Sequence, residues 1–345
     1  MTAQTISNVF TVRVVPTHLF LLSYPQMVVI NKPFIVSAYA GDEAGNMSTE
    51  FSSSVNLDIS EGEGTLSPLA NLLAEAQNGI VTWTNIKYST HDIFKLEANA
   101  SGLERIIGDE VNVSYDTTTF VQNPTTQVEG GTMSSLSTMP GTTSEVLRFK
   151  VLDAGSYDDE PTYLQQITIK RGEGENLASF SKNLAGVIIK VGSTIIPVGT
   201  PRILTSSITI PIPKNSITIP NKGRLDLSLW VYLNEKSLED GKDLIFIVDS
   251  VNHGFEVYPE GSIFTSQFED VVVSNSFKIE VEATRVAFSS VPEFVGLDQE
   301  FSINVNTVDD GGNIDVDSEA QISLSKNSGE GWLTIPSATS AASGG

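Results

Sequence analysis

The sequence predicts an all-β protein in which small β-sandwiches flank a larger, jelly-roll-like β-sandwich. Short stretches of alternating apolar and polar residues recur about every 10 residues, and Gly, Asn and Pro turns separate them, as is typical of β-sandwiches. Hydrophobic residues make up 40% of the chain, which is sufficient for packed cores. A chain of 345 residues exceeds one ordinary sandwich and predicts two or three domains.

The two ends of the chain carry the same residue pattern. Pro25 aligns with Pro292 and Phe34 aligns with Phe301 at one constant offset, without a gap. Further matches at that offset pair Asp42 with Asp309, Gly45-Asn46 with Gly312-Asn313, Leu57 with Leu324, and Gly62-Glu63-Gly64 with Gly329-Glu330-Gly331. A repeat of this kind predicts one module at each end and a different domain between them.

The domain boundaries follow from the repeat and from changes in composition. We predict a first sandwich at 1–116, a linker at 117–143, a larger sandwich at 144–283 and a second copy of the first module at 284–345. The linker is predicted because its residues are rich in Thr, Ser and Gly. The second copy stops just before the counterpart of the Gly79–Ile86 strand, so we expect this module to be truncated.

The strands are predicted from alternation along each segment. In the first module Phe34–Ala40 and Val55–Ile59 alternate as half-buried strands do, and Gly79–Ile86 places Trp83 on the face opposite Ile80. Leu69–Ala76 is the one helix-like segment of this module. In the larger sandwich the predicted strands are Val146–Val151, Leu164–Ile169, Gly186–Val191, Ser207–Ile212, Leu225–Leu233, Asp243–Val248 and Phe277–Val281.

Charge and composition exclude several classes of function. The chain has 42 acidic and 20 basic residues, a net charge of −22, so it lacks the clustered basic residues that bind nucleic acid. No apolar run approaches the roughly 18 residues of a membrane span, which argues against membrane insertion. Without cysteine there are no disulfides, thiolate zinc sites or cysteine nucleophiles. The first residues do not form a signal peptide, so we expect either a cytoplasmic protein or a piece of a longer secreted chain.

The end modules resemble the bacterial Ig-like repeats of large secreted surface proteins and adhesins. The resemblance rests on the Asp42…Gly45-Asn46 turn, Val55-Asn56-Leu57 and Asn78–Trp83, with Pro25 and Phe34. The middle domain is similar to modules of secreted Bacteroidota proteins, several of which are gliding or adhesion proteins exported by the type IX system; Phe149–Asp153 and the run Pro161…Gln166–Ile169 carry that similarity.

These resemblances imply tandem Ig-like β-sandwiches flanking a larger jelly-roll-like β-sandwich, in an extracellular segment at the cell surface. They imply a non-catalytic spacer or adhesin stalk whose partners are other domains of the same long chain, together with glycans or other surface partners. The alternative is a carbohydrate-binding accessory region of a secreted enzyme or adhesin.

Two acidic loops are candidate calcium sites, because calcium binds several carboxylate and carbonyl oxygens. The first set is Asp153, Asp158, Asp159 and Glu160; the second is Asp309, Asp310, Asp315 and Asp317. Neither set has the spacing of an EF-hand, and the alternative is a solvated acidic loop that binds nothing. Apart from calcium, the sequence predicts no cofactor.

Trp230 and Tyr232 are candidates for stacking on sugar rings, since exposed aromatic residues on a sandwich face can bind carbohydrate. The alternative is that Trp83 and Trp230 are core residues of alternating strands. No catalytic residues are predicted. The three histidines are far apart in the sequence, and the chain has no Gly-x-Ser-x-Gly motif.

Overall fold

A computed structural model of the chain describes residues 12–136, 138–334 and 339–342. Strands dominate it, and the predicted all-β fold class is confirmed. The helical elements of the described residues are two 3-10 turns, Leu69–Asn71 and Pro140–Thr142, and the single-turn α1, Phe180–Asn183. The chain divides into two compact units. Unit 1 comprises the chain up to Thr117, together with Gly155–Glu160 and Glu260–Ser262. Unit 2 comprises Thr118–Ala154, Pro161–Pro259 and the chain from Ile263 onward.

Unit 1 is a sandwich of two sheets with strand orders β1-β3-β7-β5 and β2-β9-β8-β4-β6. Its strands are β1 His18–Ser23, β2 Met27–Val29, β3 Phe34–Gly41, β4 Ser54–Glu61, β5 Leu66–Ser67, β6 Leu73–Glu75, β7 Ile80–Tyr88, β8 Ile93–Asn99 and β9 Ile106–Ser114. The alternation predicted for these segments is present: Val36, Ala38 and Leu57 are fully buried, and so is Trp83, whose Nε1 donates to the Leu72 carbonyl at 2.9 Å.

The larger sandwich of unit 2 contains sixteen strands. They are β10 Thr117–Gln122, β11 Gly131–Ser134, β12 Ser144–Asp153, β13 Thr162–Arg171, β14 Leu184–Val191, β15 Thr194–Ile196, β16 Arg202–Ile203, β17 Ser207–Pro211, β18 Thr218–Ile219, β19 Arg224–Leu233, β20 Asp243–Leu244, β21 Phe246–Val248, β22 Glu256–Val257, β23 Ile263–Phe264, β24 Val272–Val273 and β25 Phe277–Glu280.

These strands form three sheets. A six-stranded sheet has the order β15-β14-β19-β12-β10-β23, and β11-β25-β20 forms a three-stranded sheet. A seven-stranded sheet is centred on β13, with the order β16-β17-β13-β21-β24 and with β18 and β22 also paired to β13. One cluster of buried side chains fills the unit and draws Phe149 and Leu229 from the six-stranded sheet and Ile167 and Phe246 from the seven-stranded sheet.

The predicted linker at 117–143 differs from the structure. Thr117–Gln122 is β10, which pairs antiparallel with β12, and Gly131–Ser134 is β11, which pairs parallel with β25. Val121 and Met133 are each 1% exposed and join the core of unit 2. The Thr-rich composition suggested a linker, but threonine is β-branched and its stiff side chain also suits a strand.

The C-terminal module begins at β26 (Arg285–Ser290), which pairs with β27 (Asn304–Val308); β28 (Gln321–Ser323) pairs with β29 (Thr339–Ala341). Val308 is the one fully buried apolar side chain among the described residues of this module. Phe294 and Leu297, by contrast, are 87% and 96% exposed. The buried part of the module is therefore the turn that follows β27, where it meets the larger sandwich.

Candidate functional site

The Asp-x-x-Gly-Asn turn has the same hydrogen bonds in both end modules. Asn46 donates its backbone N–H and its side-chain amide to Asp42, at 2.8 and 2.9 Å. Asn313 does the same to Asp309, at 2.9 and 2.8 Å. Gly45 and Gly312 have φ of 82° and 84°, a left-handed conformation that glycine adopts without strain. The Asn46 bonds also lower the pKa of Asp42, because they stabilise its charged form.

The C-terminal turn makes additional contacts with the larger sandwich. Asn313 Oδ1 accepts a hydrogen bond from the Leu238 N–H at 3.0 Å, and its Nδ2 donates to the Glu235 carbonyl at 2.8 Å. At Gly311 any added Cβ would collide with that Glu235 carbonyl. We call this contact, between residues 235–240 of the larger sandwich and residues 309–317 of the C-terminal module, the junction. Its polar groups are fixed by direct bonds and leave little freedom between the two parts.

Three carboxylates converge at the junction: Asp240, Asp315 and Asp317 each place an oxygen within 4.8 Å of the other two. Asp240 accepts from the Val281 N–H and from the Val316 N–H, both at 2.8 Å. Asp315 is 9% exposed; it accepts from the Ala283 N–H at 3.1 Å, and its Oδ1 is buried without a hydrogen-bond partner. Backbone donors thus orient two of the three carboxylates.

One lysine lies beside this group. The Lys278 ammonium is 3.4 Å from Asp317 Oδ2 and 3.5 Å from Glu280. Its pKa is raised, first by the charge of Glu280 and then by the hydrogen bond to Asp317, so the lysine stays protonated at neutral pH. Among the described residues, the ion pairs of Lys278 reach Asp317 but neither Asp240 nor Asp315.

The second predicted calcium set, Asp309, Asp310, Asp315 and Asp317, is therefore divided between two places in the fold. Asp309 accepts from Asn313 within the turn, and Asp310 accepts from the Thr284 hydroxyl at 2.7 Å. Asp315 and Asp317 lie instead with Asp240. Sequence reasoning missed Asp240, because it belongs to a different acidic segment, Glu239-Asp240, which lies far along the chain from the others. Only the folding of the C-terminal module against the larger sandwich brings it there.

In the first predicted calcium set, Asp153 is the last residue of β12, and Asp158, Asp159 and Glu160 follow in the next loop. The buried Asp153 accepts from the Thr162 hydroxyl at 2.8 Å. Asp158, also buried, accepts from the Ser262 hydroxyl and from the Asp116 N–H, at 2.9 and 2.8 Å. Asp159 is exposed and Glu160 is half-buried. Among the described residues these acids do not form a set of three close carboxylates, and their role as calcium ligands stays a prediction.

Trp230 and Tyr232 both lie on the outer face of the six-stranded sheet, where they are half-buried. The Trp230 ring is covered by Lys190, whose ammonium is 3.4 Å from its centroid, and its Nε1 donates to Ser228 at 2.9 Å. Tyr232 crosses Gly186 on the neighbouring strand so closely that any side chain there would collide with it. Trp230 is thus not a core residue, unlike Trp83, and part of its stacking surface is occupied by Lys190.

Unit 1 contains an open groove of about 330 Å³ that Asp58, Glu61, Leu66 and Leu69 help to line. Both carboxylates have partners: Asp58 accepts from the Ile59 N–H at 2.8 Å, and Glu61 pairs with Lys95 at 2.9 Å. Among the described residues, none of the helices is long and apolar enough to cross a membrane.

No protein-family profile and no curated protein sequence matches the chain significantly. Several solved structures align with it weakly. A membrane-anchored protein of Corynebacterium diphtheriae is 11% identical (TM-score 0.23; 77% of this chain, 59% of that one). Domains 5–6 of the S-layer protein SbsC are 12% identical (TM-score 0.23; 77% and 98%). The Escherichia coli adhesin FdeC is 14% identical (TM-score 0.25; 77% and 65%).

These similarities do not establish a common fold, because all three TM-scores are well below 0.5. The chain also spans less than two thirds of the length of the first of these proteins. Any statement about function therefore rests on the residues and contacts of this chain.

Proposed function

We propose that this chain is a non-catalytic structural segment of a large extracellular surface protein, in which successive β-modules act as a spacer or adhesin stalk. The junction is the observation that carries the proposal. Asn313, Gly311 and Asp240 fix the direction of the C-terminal module by hydrogen bonds and close packing. A spacer needs modules that hold a set orientation, because a flexible linker would not keep a distal domain at a defined distance.

Two further features support this role. The net charge of −22 favours solubility and opposes self-association. In the groove of unit 1 the carboxylates are engaged in hydrogen bonds and an ion pair, which does not favour general acid–base chemistry there. The partners of such a segment are the neighbouring domains of the same polypeptide and other molecules at the cell surface.

The decisive test is the location of the segment on intact cells. An antibody raised against the purified chain should label unpermeabilised cells of the organism that produces it, and brief proteolysis of whole cells should remove the signal. Labelling that appears only after lysis would overturn the proposal. A binding assay with beads coated with the chain then distinguishes an adhesin segment from a pure spacer. Beads that carry an adhesin segment bind host or neighbouring cells, and beads that carry a pure spacer do not.

Carbohydrate binding is the second candidate, and the outer face around Trp230 favours it. Two half-exposed aromatic side chains from one strand lie side by side there, as sugar-stacking platforms require. A sugar would have to displace Lys190 from the Trp230 ring. Glycan binding by the intact chain that is lost in Trp230→Ala, and retained in the control Trp332→Ala at the fully exposed Trp332, would support this candidate. A panel of glycans with no binding would reject it.

A further inference from the structure

We propose that Asp240, Asp315 and Asp317 form a calcium site that locks the C-terminal module onto the larger sandwich. The site rests on the geometry of these three side chains and is independent of the surface role proposed above. Calcium is held by oxygen ligands at about 2.3–2.6 Å, so oxygens on opposite sides of one ion are about 5 Å apart. The three carboxylate oxygens, all within 4.8 Å of one another, fit around a single ion.

The buried Asp315 is the strongest indication of a ligand. Its Oδ1 has no hydrogen-bond partner and is shielded from solvent, although buried polar atoms are almost always paired. An isolated buried carboxylate oxygen is unfavourable, and two further carboxylates beside it add repulsion. A cation bound between the three groups would remove both penalties at once.

The first module provides an internal comparison. At the position equivalent to Asp315 it has Ser48, an uncharged residue whose hydroxyl donates to the Val14 carbonyl at 2.8 Å. At the position equivalent to Asp317 it has Glu50, which Arg13 neutralises at 3.2 Å. At these two positions the first module thus has one carboxylate, which is paired with an arginine, and the C-terminal module has two carboxylates. In the C-terminal module these two carboxylates lie with Asp240 of the larger sandwich, and the three together can hold a cation.

Lys278 does not replace the ion, because it contacts only the outer carboxylate, Asp317, and shares its charge with Glu280. Asp317 is exposed, so water molecules can complete the coordination of calcium on that side. One ligand comes from the larger sandwich and two from the C-terminal module. Binding would therefore restrain the motion of one part against the other.

The test is a calorimetric titration of the full chain with CaCl2 after dialysis against EDTA. We expect one saturable site per chain with a dissociation constant on the order of 10⁻⁴–10⁻³ M, the range of extracellular calcium modules, and weaker binding of MgCl2. Asp315→Asn keeps the shape of the side chain and should weaken calcium binding at least tenfold. Asp317→Asn, at an exposed position where folding is not at risk, should have the same effect.

The matched control is Asp270→Asn, which removes the same charge from an exposed acid elsewhere in unit 2 and should leave the titration unchanged. At calcium ten times above the dissociation constant, the melting temperature of unit 2 should rise by roughly 3–6 °C in the wild-type chain and in the control.

Three results would overturn the site. The first is the absence of saturable binding up to about 10 mM calcium, a level well above the expected range. The second is calcium binding that survives in both Asp315→Asn and Asp317→Asn, and the third is magnesium binding as tight as calcium binding. None of these results bears on the labelling of intact cells, so failure of the site and failure of the proposed function are distinguishable.

Discussion

Replacing Asn313 with alanine is expected to loosen the junction while leaving both sandwiches folded. Asn313 bonds to Leu238 and Glu235 of the larger sandwich and to Asp309 of its own turn. The alanine variant leaves the Leu238 N–H and the Glu235 carbonyl without their partners. Each such loss at a fully buried position costs about 1–3 kcal/mol, and the bond to the Glu235 carbonyl is only partly buried. Local opening of the junction should therefore become easier by about 2–4 kcal/mol.

Asn46→Ala is the matched control, because Asn46 makes the corresponding bonds to Asp42 in the first module. That substitution should cost about 1 kcal/mol, the value of an ordinary exposed hydrogen bond, and should not affect the junction. The difference between the two variants isolates the contacts with the larger sandwich.

Hydrogen–deuterium exchange at the Leu238 amide measures this directly, because that amide donates to Asn313. At 1.4 kcal/mol per factor of ten, exchange at Leu238 should be roughly 30- to 700-fold faster in Asn313→Ala than in the wild-type chain. Unchanged exchange at Leu238, or an equal acceleration in Asn46→Ala, would refute the idea that Asn313 holds the two parts together.

Three further predictions concern stability. Burial lowers the pKa of His253 below its ordinary 6.5, so the unfolded chain binds the proton more readily than the folded chain. Unit 2 should therefore lose stability as the pH falls below about 6.5. In urea titrations, His253→Phe should remove this part of the pH dependence. Burial raises the pKa of Tyr88 to about 12, so unit 1 should keep its stability below pH 10 and lose it as the pH rises toward 12, an effect that Tyr88→Phe removes. Trp83→Ala should cost about 3–5 kcal/mol by urea unfolding, because it empties a buried site, whereas Trp230→Ala at the half-exposed outer face should cost less than half as much.

His91 is exposed and stacks on Tyr115, so a pH dependence that disappears equally in His91→Phe would contradict the role of His253. For Tyr88 the comparison is Tyr39→Phe, at a half-buried hydroxyl whose bond to the Gly45 carbonyl is long, at 3.4 Å. Equal losses from the two tryptophan variants would show that the outer face is packed as tightly as the core.

The sequence predicted the strands well where one face is buried. Alternation was predicted for the segments that contain Val36, Leu57 and Trp83, and these residues are fully buried. Local pattern could not distinguish the two faces of β19, because Trp230 and Tyr232 alternate with Leu229 and Val231 and both sets are large and apolar. The structure buries the leucine and valine and leaves the aromatic residues on the outer face.

Two features were beyond sequence reasoning for a physical reason. The strands at Thr117–Gln122 and Gly131–Ser134 obtain their hydrogen bonds from β12 and β25, which are distant partners that composition does not reveal. The candidate site depends likewise on Asp240, which joins Asp315 and Asp317 only through tertiary contact. Long-range pairing decides both outcomes, and a single sequence contains no direct record of it.

The parallel pairing of β2 with β9 has a mechanical consequence. Met27–Val29 runs in the same direction as Asn112–Ser114, and the two strands lie toward opposite ends of the segment of unit 1 that ends at Thr117. Tension applied through the chain on either side pulls them in opposite directions along their common axis. The hydrogen bonds between them then carry the load together in shear, and they do not open one after another as in an unzipped hairpin. The sandwich should therefore extend abruptly at one rupture force and resist gradual stretching below it.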